Sequence, residues 1–128
     1  MLLVDTSVLI EYFRKPRKED TFFYELAGKY GEIAISSITR YEIMVGNSPK
    51  QEDFWRQLLS SIETLAFDDA AADEAAKIQK ELKQENKLIG FADIAIAATA
   101  RIHDLDIATL NEGHFNRVKG LKLLVRKI

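Results

Sequence analysis

The sequence predicts an α/β domain, a three-layer sandwich whose central, mainly parallel five-stranded sheet carries helices on both faces. Three observations predict it. Five short apolar runs, most of them rich in branched residues, are separated by longer stretches with helical periodicity. No internal repeat, low-complexity tract or Gly/Ser linker divides the chain. Its 128 residues suit a single domain, 1–128, large enough to bury one core without disulfide or metal staples. Strands that alternate with helices pair in parallel, because the crossover helices then cover the sheet.

The elements follow in order. Leu2–Asp5 reads as the first strand, and Ser7–Arg14 as a helix that leaves it directly. Glu19–Tyr30 reads as a helix with Phe22, Phe23 and Leu26 on one face and Gly31 after its end. Glu32–Ser36 is the second strand, followed by a helix over Ile38–Val45. A turn at Gly46-Asn47 and a helix start at Pro49 introduce Lys50–Ile62. Thr64–Phe67 is the third strand, and Ala70–Gln84 and Ala92–His103 are helices. Asp106–Leu110 and Leu121–Val125 complete the sheet.

Composition narrows the function. Hydrophobic residues make up 47% and charged residues 30%, the balance of a soluble globular protein. With no cysteine, disulfides and thiolate-bound zinc are excluded, and the composition suits a reducing cytoplasm. Met1-Leu2-Leu3-Val4 meets Asp5 too early for a signal peptide, and the uncharged run Ile94–Ala100 is too short to span a bilayer, so no membrane role is expected. The net charge of −2 exerts no long-range pull on nucleic acid. Arg14, Lys15, Arg17 and Lys18 nevertheless form one basic cluster, and Arg117, Lys119, Lys122, Arg126 and Lys127 a second. Each reads either as a solvated face or as a contact for backbone phosphates.

Three acids are incompletely explained by local structure. Asp5 ends the first strand, where an aspartate is a natural helix N-cap and where α/β sheets also place working groups. Glu42 lies on the apolar stripe of its helix, one turn from Ile38 and from Val45. It reads as a snorkelling surface glutamate, a partner of Arg40 or another base, or a charge compensated by a cation. Asp93 opens a closely packed helix of small and apolar residues, where the helix dipole alone favours an acid by roughly 0.3–1 kcal/mol. Gathered in one pocket, the three would repel unless a divalent cation were bound. Mg²⁺ or Mn²⁺ suits an all-oxygen site, and a metal held by carboxylates activates water and stabilises an in-line displacement at phosphorus.

With these residues in place, the chain resembles a PIN domain and, within that superfamily, VapC-like toxins of type II toxin–antitoxin systems. The likeness covers essentially the whole chain through four motifs taken together. They are Asp5-Thr6-Ser7 with Leu9-Ile10, Ser36-Ser37-Ile38-Thr39-Arg40-Tyr41-Glu42-Ile43 with Gly46, Ile89-Gly90-Phe91-Ala92-Asp93 with the helix to Ala100, and Thr109-Leu110-Asn111 with Phe115 and Arg117–Leu121. The resemblance implies a PIN-like fold, cleavage of RNA phosphodiester bonds, and Mg²⁺ or Mn²⁺ bound by Asp5, Glu42 and Asp93. It also implies a VapB-like antitoxin covering the site, and a homodimer. Ser7 matches a position that supports the metal pocket, and Asn111 one that hydrogen-bonds behind the ligands. Arg14, Lys15, Arg17, Arg117 and Lys119 are the candidates for RNA phosphates.

One departure stands out. Where the family pattern carries an acid, this chain has His114. A neutral imidazole brings one nitrogen and no negative charge, which weakens a second metal and favours Mn²⁺ over Mg²⁺. A phosphate contact and an inert side chain are the other readings of His114. The aromatic residues Tyr12, Phe13, Phe22, Phe23 and Trp55 read mainly as core, with the remainder open to an antitoxin groove or dimer seam. Two rival functions remain. One is a non-catalytic PIN scaffold that binds RNA or protein. The other is a receiver-like phosphoacceptor domain using Asp5, Asp68, Thr109 and Lys122.

Overall fold

The computed structural model describes residues 1–126, so Lys127 of the second basic cluster lies outside the described residues. The order is β1 (Leu2–Val4), α1 (Thr6–Arg14), a 3₁₀ turn (Lys18–Asp20), α2 (Phe22–Lys29), β2 (Ile33–Ser36), α3 (Ser37–Gly46), α4 (Glu52–Ser60), β3 (Glu63–Leu65), α5 (Asp69–Gln84), α6 (Phe91–His103), β4 (Ile107–Thr109), α7 (Glu112–Phe115) and β5 (Leu123–Val125). The five strands form one sheet in the order β3-β2-β1-β4-β5, and every pairing is parallel.

Alternation along the strands sends the side chains into two cores. Leu2 and Val4 join Val8, Leu9, Phe22, Phe23 and Trp55 on one face of the sheet. Leu3 and Ala34 join Ile78, Ile94, Ile96, Ala97 and Phe115 on the other. Tyr12, Phe13, Phe22, Phe23 and Trp55 therefore belong to the core. Phe22, Phe23 and Trp55 are buried, while Tyr12 and Phe13 pack against them in ring pairs 4.8–5.2 Å apart. On the opposite side the buried alanines Ala97, Ala98 and Ala100 let α6 lie close in its core, so a larger side chain there costs about 1–3 kcal/mol.

The strand order decides between two functional readings. It reverses at β1: the chain moves outward through β2 and β3, then returns to pair β4 with β1. A receiver-type sheet runs 2-1-3-4-5, so that alternative is excluded. Asp68, its phosphoacceptor, instead caps α5 by accepting from the Ala71 amide at 3.0 Å.

Three boundaries depart from the sequence reading. The helix expected over Glu19–Tyr30 divides at Thr21, whose hydroxyl caps α2 by accepting from Tyr24 N at 3.3 Å. Pro49 lies in a turn ahead of α4 rather than at its first position, since α4 starts at Glu52. The single-turn helix α7 was not expected, because four residues are too few to show a period.

Candidate active site

In a parallel sheet the chain leaves every strand at the same edge, and a crevice opens there where the strand order reverses. Here that point is between β1 and β4, and Asp5 sits in it. Asp5 is the residue after β1 and the N-cap of α1, accepting from Val8 N at 3.2 Å. The capping reading is therefore correct, but it uses only part of the carboxylate. Ser7 Oγ donates to Oδ1 at 2.6 Å, and Thr109 Oγ1, at the end of β4, donates to Oδ2 at 2.6 Å. Both hydroxyls also accept from the backbone of the loop after β4, Ser7 from Leu110 N at 3.1 Å and Thr109 from Asn111 N at 2.7 Å. The two strand ends are thus tied together through one buried carboxylate, only 3% exposed.

Burial pushes the Asp5 pKa above its ordinary value of 3.8, against the lowering effect of the Ser7, Thr109 and Val8 hydrogen bonds. The negative charge of Asp93 adds to the upward shift. Those two acids therefore share one electrostatic environment, although 88 residues separate them in sequence.

Asp93 lies in the first turn of α6 and is partly buried. Its Oδ2 is 2.7 Å from His114 Nδ1 on α7, and the same nitrogen is 2.9 Å from Asn111 Nδ2. Ser7, Asn111 and His114 thus all touch the acids or their partners. Glu42 reaches the same edge of the sheet from α3, whose N-cap is Ser36 at the end of β2. Its Oε1 accepts from Thr6 Oγ1 at 2.6 Å, and Thr6 Oγ1 is 3.1 Å from Thr39 Oγ1. The alternative partner Arg40 is turned away, donating to Thr64 Oγ1 at 3.3 Å. In this side-chain arrangement Asp5, Asp93 and Glu42 are each held by a neighbour. No group of three His, Cys, Asp or Glu stands at ligand spacing among the described residues.

Thr6, Thr39 and Thr109 complete the site, and the sequence reading assigned none of them a role there. The available signal was a hydroxyl residue at or beside the end of each central strand. The residue types suit a hard divalent cation, since Asp5, Glu42 and Asp93 all offer carboxylate oxygens and the negative charge of Asp93 is felt at the buried Asp5.

The basic clusters divide. Lys18 Nζ donates to the carbonyls of Tyr12, Phe13 and Lys15 at 2.7–2.9 Å, so it is a structural clasp. Arg17 pairs with Glu19 and Asp20, Lys119 with Glu85, and Arg126 with Glu11. Arg117 donates to the Leu88 carbonyl. Lys15 pairs with Glu11 at 3.4 Å and lines a cleft of about 640 Å³ that runs past Thr109, Glu112 and Arg126. Arg14 forms no ion pair among the described residues and lines a recess with Glu42 and Trp55. Of these cations, Arg14 shares a recess with Glu42, while Lys15 and Arg126 share a cleft with Thr109, the partner of Asp5.

Comparison with known proteins agrees with this fold. A family model described as "PIN domain" matches residues 2–121. Ribonuclease VapC1 of Methanocaldococcus jannaschii is 41% identical over 125 residues, covering 95% of this chain and 85% of the relative. Ribonuclease VapC10 of Mycobacterium tuberculosis is 33% identical over 123 residues, covering 95% and 91%. Among solved structures, a chain of the DNA-bound VapBC complex from Salmonella typhimurium superposes with a TM-score of 0.87 at 25% identity, over 98% of both chains.

Proposed function

This chain belongs to the PIN-domain family, and from that membership we propose that it is a metal-dependent endoribonuclease, the toxin of a VapBC-type toxin–antitoxin pair. Its substrate is RNA, its partner a VapB-like antitoxin, its working form a homodimer and its cofactor Mg²⁺ or Mn²⁺. The observation that carries the reading is the buried Asp5 carboxylate at the β1–β4 crevice, electrostatically coupled to Asp93 and joined by Glu42 at the same sheet edge. The names ribonuclease VapC1 and VapC10, borne by relatives that align over nearly the whole chain, support the reaction class.

Asp5 and Asp93 would hold the cation, with Glu42 beside them. When bound, a divalent ion supplies Lewis acidity toward the phosphoryl group and a water acidic enough to react near neutral pH. Ser7 and Thr109 keep Asp5 ionisable by donating to both of its oxygens and fixing its orientation. Glu42 would take up the proton released by the attacking water, with Thr6 setting its rotamer. Thr6 is next to Asp5 in the chain, so the base and the ligand are positioned by the same helix start. Arg14 and Lys15 would bind backbone phosphates on either side of the scissile bond, a contact that weakens as salt rises.

A ribonuclease assay on unpaired RNA, without metal and with added Mn²⁺ or Mg²⁺, tests the proposal. Wild type is expected to cleave only with the metal, and Asp5→Ala and Asp93→Ala are expected to be inactive while folded. Equal cleavage by all three would reveal a contaminating nuclease. Absence of cleavage by wild type with either metal would favour the non-catalytic scaffold.

A further inference from the structure

We propose that Thr39 is a positioning residue for Glu42 that acts through Thr6: its hydroxyl donates to Thr6 and so commits the single Thr6 proton to the carboxylate. This deepens the reading of Glu42 as the group that takes up a proton, and it rests on that reading.

The basis is the direction of two hydrogen bonds. A threonine hydroxyl has one proton to donate and two lone pairs to accept with. Thr6 Oγ1 stands 2.6 Å from Glu42 Oε1 and 3.1 Å from Thr39 Oγ1, so its one proton serves only one of them. Glu42 can act as a base only as the carboxylate, which has nothing to donate. The 2.6 Å separation is also that of a hydroxyl bound to a charged oxygen. The Thr6 proton therefore goes to Glu42, and the longer contact is closed by the proton of Thr39. The bonds run from Thr39 to Thr6 to Glu42.

Burial leaves the Thr39 hydroxyl no other use. The residue is fully buried, and Thr6 is its one side-chain hydrogen-bond partner among the described residues. Thr99, the fully buried threonine of α6, instead returns its hydroxyl to the Ala95 carbonyl of its own helix at 2.9 Å. Thr39 lies in the first turn of α3, with no turn of that helix behind it, so its hydroxyl crosses to the first turn of α1.

Thr39 and Glu42 stand at i and i+3 of α3, on one face, so the two side chains hold Thr6 from a single helix. Hydrogen bonds in series polarise one another, and a donor behind Thr6 strengthens the bond that Thr6 makes to Glu42. With Oε1 held in this way, Oε2 has no hydrogen bond among the described residues and is the oxygen left to meet the attacking water. Without the Thr39 hydroxyl, Thr6 loses one of its two anchors and Glu42 is aimed less well.

Steady-state cleavage of unpaired RNA with Mn²⁺, run as a double-mutant cycle of Thr39→Val and Thr6→Val, tests the relay. Thr39→Val keeps the shape of the side chain and removes the donor. It is expected to lower kcat about threefold to tenfold with KM unchanged, the loss of about one hydrogen bond. Thr39→Ser should restore most of that rate. The double variant should be no slower than Thr6→Val alone, since Thr39 has no other route to Glu42. Full additivity, an unchanged kcat, a change confined to KM, or a serine variant as slow as valine would each overturn the inference. A second measurement needs neither a variant nor activity. In half-deuterated water the Thr39 Cβ carbon of wild type should give two NMR signals, because a buried hydroxyl held as a donor exchanges slowly. One averaged signal would overturn the inference even if valine prevented folding. Cleavage indifferent to Thr39 overturns the relay alone, whereas absence of wild-type cleavage with either metal would overturn the reading of Glu42 and the relay with it.

Discussion

Replacing Thr109 with valine keeps the shape of a fully buried side chain and deletes one hydroxyl with two partners. Asp5 loses a 2.6 Å donor to a carboxylate, a bond of the kind worth about 1.5–3 kcal/mol. The Asn111 amide loses its 2.7 Å acceptor, but water can replace part of that bond because Asn111 is only partly buried. The expected loss of stability is therefore about 2–4 kcal/mol. For a chain of this length about 1 kcal/mol corresponds to roughly 3–4 °C in Tm, so the midpoint should fall by about 6–16 °C. Thr109→Ser retains the hydroxyl and loses only a methyl group, and should cost about 1 kcal/mol. Urea denaturation of the metal-free protein, with a thermal scan in parallel, measures both. The reasoning is refuted if valine lies within about 0.5 kcal/mol of wild type, or if serine is as destabilising as valine.

Other outcomes follow from the same geometry. The raised pKa of Asp5 means that the folded, metal-free chain holds its proton to higher pH than the unfolded chain does. Its contribution is thus greatest below 3.8 and is lost as pH rises through the raised folded value, so urea midpoints of Asp5→Asn should gain on wild type as pH increases across that window. A gap that does not change with pH would contradict the assignment. Arg14→Ala should weaken RNA binding and lower the salt dependence of log K by about 0.7, as expected for one single-strand phosphate contact. Arg17→Ala, whose guanidinium is already paired with Glu19 and Asp20, should change neither. Glu42→Gln should reduce cleavage far more than it reduces Mn²⁺ affinity if Glu42 acts on the proton rather than on the ion.

The parts of this molecule that were legible in the sequence are those in which local pattern and tertiary demand agree. The alternation of Leu2, Leu3 and Val4 sends neighbours to opposite cores, so strand identity followed from the run itself. The acids were legible because each stands at a helix start or on an apolar face. Their partners were not, since the Asp5–Thr109 bond joins residues 104 positions apart and no local pattern encodes it. The pairing within the basic clusters was hidden for the same reason. Arg126 is tied to Glu11 and Lys119 to Glu85, so charges that look free in sequence are paired once the chain folds. Thr21 broke a helix that hydrophobic spacing alone would have continued, because a hydroxyl at that point can cap the next segment.

Calorimetric titration of Mn²⁺ into the metal-free protein probes the account at its root, that Asp5 and Asp93 serve one ion. Each of Asp5→Asn and Asp93→Asn is predicted to abolish the tightest binding event, and the double variant to lose nothing further. Undiminished tight binding by both single variants would contradict it.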